Sequence, residues 1–302
     1  VVNKKKNNFF FNLLFSFLVV AKVKKEKSRI SLIFTRVFLV SVLLSVFKLN
    51  HILEIHQECT GVTKKIFHLF YSLSNGKYLK LIYINKNLKK YFPMLKKNNY
   101  LILDDAVDVK DFKFKNKRIN NSCVYTGSLS PGKGFEIILK LSKLLKSTKF
   151  YVYGDLNLLP TNLIKSKISK NIILKDFVTY NKIPAILKAN KILLMPYLKK
   201  SVGRSGNLNL SNYMSPLKLF DYLAAGRVII ASDLYVYSHI LKHKYNCFKF
   251  SDLDLKSWSV QIKKVLNNYS IYKSIRENAL KTSLKFSWEN RVNSILKLNE
   301  KR

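Results

Sequence analysis

Ser215-Pro216-Leu217-Lys218-Leu219-Phe220-Asp221-Tyr222-Leu223-Ala224-Ala225-Gly226 is the stretch on which the fold turns. Ser is a favoured N-cap, Pro suits the first helical turn, and Gly is a favoured helix stop. The pattern predicts a three-turn helix starting at Ser215 and ending at Gly226. A continuous apolar run, Arg227 to Ser232, follows as a buried strand. Lys218 and Asp221 lie three residues apart and share one helix face. A helix start presents free N–H groups and the positive end of the dipole, which suits a phosphate. Lys218 adds a full charge, and Asp221 can accept two hydroxyl hydrogen bonds from a ribose. An ordinary amphipathic helix with two surface charges would show the same pair, so a second motif is needed.

Residues 122–134 supply it: Ser-Cys-Val-Tyr-Thr-Gly-Ser-Leu-Ser-Pro-Gly-Lys-Gly. Ser122 to Thr126 reads as a short strand, and Gly127 to Gly132 as a glycine-bearing loop. Phe135, Ile138, Leu139 and Leu145 then recur at helical spacing. Strand, glycine loop and a lysine-bearing helix start form a phosphate cradle. The spacing is not that of a P-loop, because no Gly-Lys-Ser/Thr follows at the required distance.

Together the two motifs resemble those of the family-4 glycosyltransferases of GT-B fold. The family's G-R-L…K-G loop corresponds to Gly127-Ser128-Leu129…Lys133-Gly134. Its S-P-x-K-x-x-E-x-x-A-x-G helix corresponds to Ser215-Pro216…Lys218…Asp221…Ala224…Gly226. Other landmarks fall in family order. Leu103–Phe112 is similar to the segment that closes the first domain, and Asn171–Val178 to the strand and loop beside the nucleobase. Ile183–Tyr197 is similar to the unit whose strand ends in Pro, and Phe286-Ser287-Trp288…Arg291 to the start of the final helix. Phe34-Thr35-Arg36 and Glu54-Ile55-His56 are similar to two strand ends of the first domain. The resemblance covers about residues 28–300. Four positions depart from the pattern: Ser128 replaces the loop Arg, Asp221 the second Glu of the helix, Tyr213 the first Glu, and Ala106 a glycine.

The resemblance implies an α/β chain of GT-B class, with two Rossmann-like parallel-sheet domains facing a cleft and the first one incomplete. The implied activity is a retaining glycosyltransferase moving a sugar from a UDP- or GDP-sugar to a glycan or lipid-linked acceptor, as in cell-envelope polysaccharide synthesis. Lys133 and Lys218, with the two helix starts, would stabilise the departing diphosphate. Gly127, Ser128, Ser215, Pro216 and Leu217 would surround it, Asp221 would hold the ribose, and Phe177 and Val178 would pack on the base. His56 would touch the transferred sugar or the acceptor, with Arg36 and Glu54 on the acceptor side. Arg204 is either an ordinary surface Arg or the replacement for the loop cation missing at Ser128. Closure of the two domains would exclude water. No cofactor and no metal are implied. Asp252-Leu253-Asp254 has the form of a D-x-D metal motif but precedes a helix, where capping is its ordinary use. The rival readings are a GT-B sugar-nucleotide epimerase, or a non-catalytic nucleotide- or RNA-binding protein.

Bulk properties bound these readings. The 302 residues suit two domains, and 48% hydrophobic content suffices for two cores. The net charge of +38 points first to nucleic acid. Only eight of the 55 basic residues are Arg, the residue that reads phosphates and bases through its forked geometry. The Lys residues are also dispersed, so an anionic membrane surface is the preferred polyanion and nucleic acid is not expected. Three scattered cysteines, Cys59, Cys123 and Cys247, argue for a reducing, cytoplasmic compartment, and the basic surface for a peripheral place on the inner face of the membrane.

The remaining elements are expected as follows. Residues 9–21, after Lys4-Lys5-Lys6, form an apolar helix too short to span a bilayer, either packed in the first domain or resting on a membrane. The first domain (1–112) holds strands at 30–35, 51–56, 80–84 and 100–103, and helices at 37–47, 62–73 and 86–91. A polar linker covers 113–121. The second domain (122–283) holds strands at 122–126, 149–153, 171–174, 191–195 and 227–231, with helices at 255–267 and 271–283 after them. The final helix, from about 287, crosses back to the first domain. The chain begins at Val1 rather than Met, and no opening strand with a glycine-rich loop is found, so the expectation is an N-terminally truncated first domain.

Overall fold

Continuous apolar runs separated by helical stretches demand strands covered on both faces, and the computed structural model shows this arrangement twice. The structure describes residues 9–74, 76–92, 100–114, 118–159, 168–200 and 209–300. The chain divides into two compact units, residues 1–104 with 292–302, and residues 105–291.

In the first unit, α1 (Phe9–Lys25), β1 (Phe34–Thr35), α2 (Phe38–Val46), β2 (His51–Ile55), α3 (Gly61–Ser74), β3 (Leu79–Tyr83) and β4 (Tyr100–Ile102) alternate. The four strands form a parallel sheet in sequential order. The strand expected over 30–35 pairs only at Phe34 and Thr35. It lies at the edge with one neighbour, and Lys27–Arg29 just before it coil into a 3-10 turn. The helix expected at 86–91 is also 3-10, begun by the Asn85 side chain accepting from Asn87 N–H.

The second unit contains β5 (Asn120–Thr126), α4 (Phe135–Leu144), β6 (Lys149–Tyr153), β7 (Ile172–Lys175), α5 (Ile183–Lys188), β8 (Asn190–Met195), α6 (Leu217–Ala225), β9 (Val228–Ser232), β10 (Phe248–Phe250), α7 (Leu255–Asn267) and α8 (Lys273–Ser283). Its sheet is wholly parallel, in the order β10-β9-β8-β5-β6-β7. This is the doubly wound order, whose reversal lies between β5 and β8. Alternation along the strands assigns side chains to two cores. Leu193 and Met195 of β8 and Ile229 and Ala231 of β9 join α6 and α8. Ile192, Leu194, Val228 and Ile230 join α4 and α7. β10 was not expected, because three residues, Phe-Lys-Phe, carry too little periodicity. The segment read as a linker already enters β5 at Asn120, and residues 115–117 of it lie outside the described residues.

The last helix, α9 (Trp288–Glu300), begins with the second unit and ends with the first. Its Ile295 and Leu298 are buried with Ile52 and Ile82, and Lys80 Nζ donates to the Leu298 and Asn299 carbonyls at 2.9 Å each.

Candidate functional site

Open α/β sheets hold ligands beyond the carboxyl ends of their strands, at the point where strand order reverses. In the second unit a cavity of about 450 Å³ lies there. Thr126 and Gly127 line it from the end of β5, Tyr153 and Gly154 from β6, Phe177 and Val178 after β7, and Tyr197 after β8. Leu217, Lys218 and Asp221 enter from the start of α6. Its volume is that of a small-molecule site.

Lys218 is the unusual group. Its ammonium is buried and has no hydrogen-bond partner among the described residues. Tyr125 and Tyr197 surround it instead, their ring centroids 3.8 Å and 5.1 Å from Nζ. Burial first, and the neighbouring Lys133 second, hold it well below the ordinary lysine range. Lys133 Nζ lies 5.5 Å from the Tyr197 ring, and burial lowers its pKa also. Two ammonium groups against one tyrosine ring, with no ion pair to either among the described residues, make a site complementary to an anion.

The backbone is shaped around this cation. Gly127 has φ +137°, and a Cβ there would stand 2.6 Å from Lys218 Nζ. Gly134, at φ +108°, is the N-cap of α4, and a Cβ there would stand 2.3 Å from the Pro196 carbonyl oxygen. The Tyr125 hydroxyl staples the loop by donating to the Ser128 carbonyl at 2.6 Å and to that of Lys133 at 3.2 Å. Glu136 accepts from Gly132 and Gly134 N–H, so its carboxylate closes the loop that leads into α4.

Asp221 is buried, and its Oδ1 accepts from the Tyr180 hydroxyl at 2.9 Å. Burial pushes its pKa up to about 7, against the opposing Tyr180 hydrogen bond. Tyr180 lines the same cavity.

Several expectations need correction. Ser215 is not the N-cap of the helix. The helix starts at Leu217, Pro216 occupies the N-cap in extended conformation, and no side chain caps it. Ser215 stands one residue too far out, and its Oγ accepts from Asp105 N–H at 2.9 Å. The Leu219 N–H at this start is bonded to the Pro216 carbonyl at 2.8 Å. The Ser128 hydroxyl pairs with Ser130 Oγ at 2.8 Å, within its own loop. Ser215, Pro216 and Lys133 are not among the residues that line the cavity, although Lys133 acts on Lys218 by charge. Gly127, Ser128, Phe177, Val178, Leu217, Lys218 and Asp221 do line it. Arg204 lies outside the described residues. Asp254 caps α7 by accepting from Ser257 N–H, and Asp252 accepts from Lys199 N–H. Tyr125, Tyr180 and Tyr197 were not picked out from the sequence. Tyr125 and Tyr197 each stand beside a quoted landmark, Thr126-Gly127 and Pro196, and that adjacency was the available signal.

In the first unit, Arg36 follows β1 and is exposed, while Glu54 and His56 lie at the end of the adjacent β2. Glu54 is buried, and its carboxylate pairs with His56 Nε2.

A sequence model of the family described as Glycosyl transferases group 1 matches residues 120–268, the body of the second unit. The second unit thus carries a match to the group 1 glycosyl transferases. The chain is therefore an enzyme, a glycosyltransferase, and its two parallel-sheet units are of GT-B fold. An uncharacterized glycosyltransferase of Methanocaldococcus jannaschii is 22% identical over 258 residues, covering 83% of this chain and 68% of that protein. Among solved structures, a glycosyltransferase of Rickettsia africae superposes with TM-score 0.75 at 15% identity, covering 99% of this chain and 83% of that one. HepE of Anabaena, solved in complex with UDP, gives TM-score 0.70 at 14% identity, covering 92% of this glycosyltransferase and 81% of HepE.

Proposed function

We propose that this glycosyltransferase takes its sugar from a nucleoside diphosphate sugar and transfers it, with retention of anomeric configuration, to a glycan or lipid-linked acceptor. The observation that carries the donor reading is the Lys218 ammonium, buried, unpaired and beside Lys133 at the mouth of an uncapped helix. A buried cation without a partner is costly, and a diphosphate would neutralise it. HepE, solved with UDP and with UDP-glucose, is a neighbour of the same fold and supports the same donor class.

Each residue then has a chemical part. As the bond between sugar and diphosphate breaks, negative charge grows on the leaving phosphate. Lys218 and Lys133 stabilise that charge in a site where water screens little, together with the positive dipole end of α6. Asp221 accepts from the ribose hydroxyls, which take over the donor role that the Tyr180 hydroxyl fills now. Phe177 and Val178 offer an apolar face to the base. The acceptor is assigned to Arg36 and to the Glu54–His56 pair, where the carboxylate fixes the imidazole's orientation. Neither a metal nor a cofactor is part of the proposal. The free, buried thiols Cys59, Cys123 and Cys247 suit a reducing, cytoplasmic compartment.

A melting-temperature screen of UDP, GDP, ADP and the corresponding monophosphates tests the donor reading, because a ligand of the native state raises the midpoint. One diphosphate should stabilise the chain well beyond its monophosphate. Equal response to both would remove the diphosphate from the proposal. The anomeric configuration of product from the preferred donor, read by proton NMR, tests retention.

A further inference from the structure

α1 is apolar on its free side as well as on its packed side. Its packed face is narrow. Ser16 and Val20 are buried, Val20 packs with Val40, Leu43, Leu44 and Leu49, and the Ser16 hydroxyl donates to its own helix at Asn12. Phe10, Phe11, Leu14, Phe15, Phe17 and Leu18 remain between 46% and 77% exposed. At about 100° per residue these six fall within an arc of about 160°, so they form one continuous face. Scattered exposed apolar residues need no explanation, but six large ones on three successive turns do.

The charge along the helix says what would cover that face. The apolar residues end at Leu18, and Lys22, Lys24 and Lys25 follow in the last turn, all exposed. Lys27 and Arg29 continue the basic run in the adjoining 3-10 turn. Glu26 is the lone acidic residue from Phe9 to Arg29. An apolar protein partner would not require five cations beside the rings, whereas a bilayer with anionic headgroups offers hydrocarbon to the rings and phosphates to the lysines. Among the described residues no helix is long and apolar enough to cross a membrane. With 17 residues α1 is about 25 Å long, shorter than the hydrocarbon core.

We propose that the exposed face of α1 docks on an anionic lipid bilayer, with the Phe10–Leu18 rings and branched chains in the headgroup–acyl boundary and Lys22, Lys24, Lys25, Lys27 and Arg29 on the lipid phosphates. This proposal is independent of the donor reading, since every residue it uses lies in the first unit.

Overall charge alone would draw this chain to anionic vesicles, so the test must isolate the apolar face. The full chain is co-sedimented with phosphatidylcholine vesicles containing about 30% phosphatidylglycerol, at about 0.15 M salt. Beside it runs a variant carrying Phe11→Gln, Leu14→Gln, Phe15→Gln and Leu18→Gln. All four side chains are exposed, so the variant should melt with the parent. The expected result is a fall of about tenfold or more in partitioning for the Gln variant. Lys22→Ala and Lys25→Ala should each cost roughly fivefold. A second reading is direct: Trp at position 14, introduced as Leu14→Trp, should be quenched by brominated lipid, while Leu144→Trp in the second unit should not. Partitioning by the Gln variant equal to the parent's would overturn the proposal, as would unquenched Trp in Leu14→Trp. A parent that is dimeric by light scattering without lipid, and monomeric once the four Gln are present, would assign the face to a second copy and overturn it as well.

Discussion

Replacing Lys218 by Met should raise the stability of the nucleotide-free protein while removing its diphosphate affinity. The parent ammonium is buried without a hydrogen-bond partner, and the charge of Lys133 opposes it further. Holding such an ion away from water costs several kcal/mol after relaxation. The Tyr125 and Tyr197 faces return about 2 kcal/mol through cation–π attraction. Met fills the same channel without charge, so the variant should gain about 1 kcal/mol or more, a rise of about 2–4 °C per kcal/mol for a unit of this size. Affinity should move the other way. A charge-assisted contact is worth about 1.5–3 kcal/mol, so UDP or GDP should bind about 10- to 150-fold more weakly. The pH dependence supplies an independent check. A lysine with a depressed folded pKa binds fewer protons folded than unfolded between that value and the ordinary 10.5. Parent stability should therefore rise with pH across that window, and the Met variant should lose that slope. Isothermal titration calorimetry with the nucleotide and calorimetric melting from about pH 7 to 10 measure both quantities. Unchanged diphosphate affinity, or a lower melting temperature without nucleotide, would refute the assignment of Lys218 as the unpaired cation of the site.

Further outcomes follow from the same geometry. Ribonucleotide affinity should increase as pH rises through about 7, where Asp221 ionises, and Asp221→Asn should abolish that titration while Asp221→Glu preserves binding. Because its folded pKa lies above the ordinary 3.8, Asp221 reduces fold stability as pH rises from 3.8 to about 7, so Asp221→Asn should melt higher than the parent at pH 8. Gly127→Ala should weaken diphosphate binding by displacing Lys218, with a strain cost of about 1–3 kcal/mol visible in urea unfolding. His51 accepts from Ser41 through Nε2 and donates to the Leu49 carbonyl through Nδ1; burial lowers its pKa to about 4. Its contribution, up to roughly 3 kcal/mol, is present above pH 6.5 and lost as pH falls toward 4, and His51→Gln should flatten that part of the acid limb.

Much of the fold was legible because its signals are local. Runs such as Ile192–Met195 and Val228–Ser232 report burial on both faces, and Gly226 at φ +60° and ψ +40° stops its helix where the glycine stands. Short elements were legible least: β10, of three residues, escaped, and the strand expected over 30–35 pairs only at Phe34 and Thr35. The N-terminus of α6 was placed two residues early, because a Ser-Pro pair reads as a cap until the competing partner of Ser215 is known. That partner, Asp105 N–H, lies 110 residues away.

By itself the sequence determined the alternation of strands and helices, the glycine-bearing start of α4, the helix that stops at Gly226, and the presence of Lys133, Lys218 and Asp221 in them. These follow from periodicity and capping, which act over a few residues. Only the tertiary structure decided what those side chains meet. Tyr125 from β5 and Tyr197 from the end of β8 enclose Lys218 from α6, and Tyr180, 41 residues before Asp221, reaches its carboxylate. An unpaired ammonium and a carboxyl titrating near neutrality arise from burial and from partners distant in the chain, and neither quantity is carried by any short stretch of sequence.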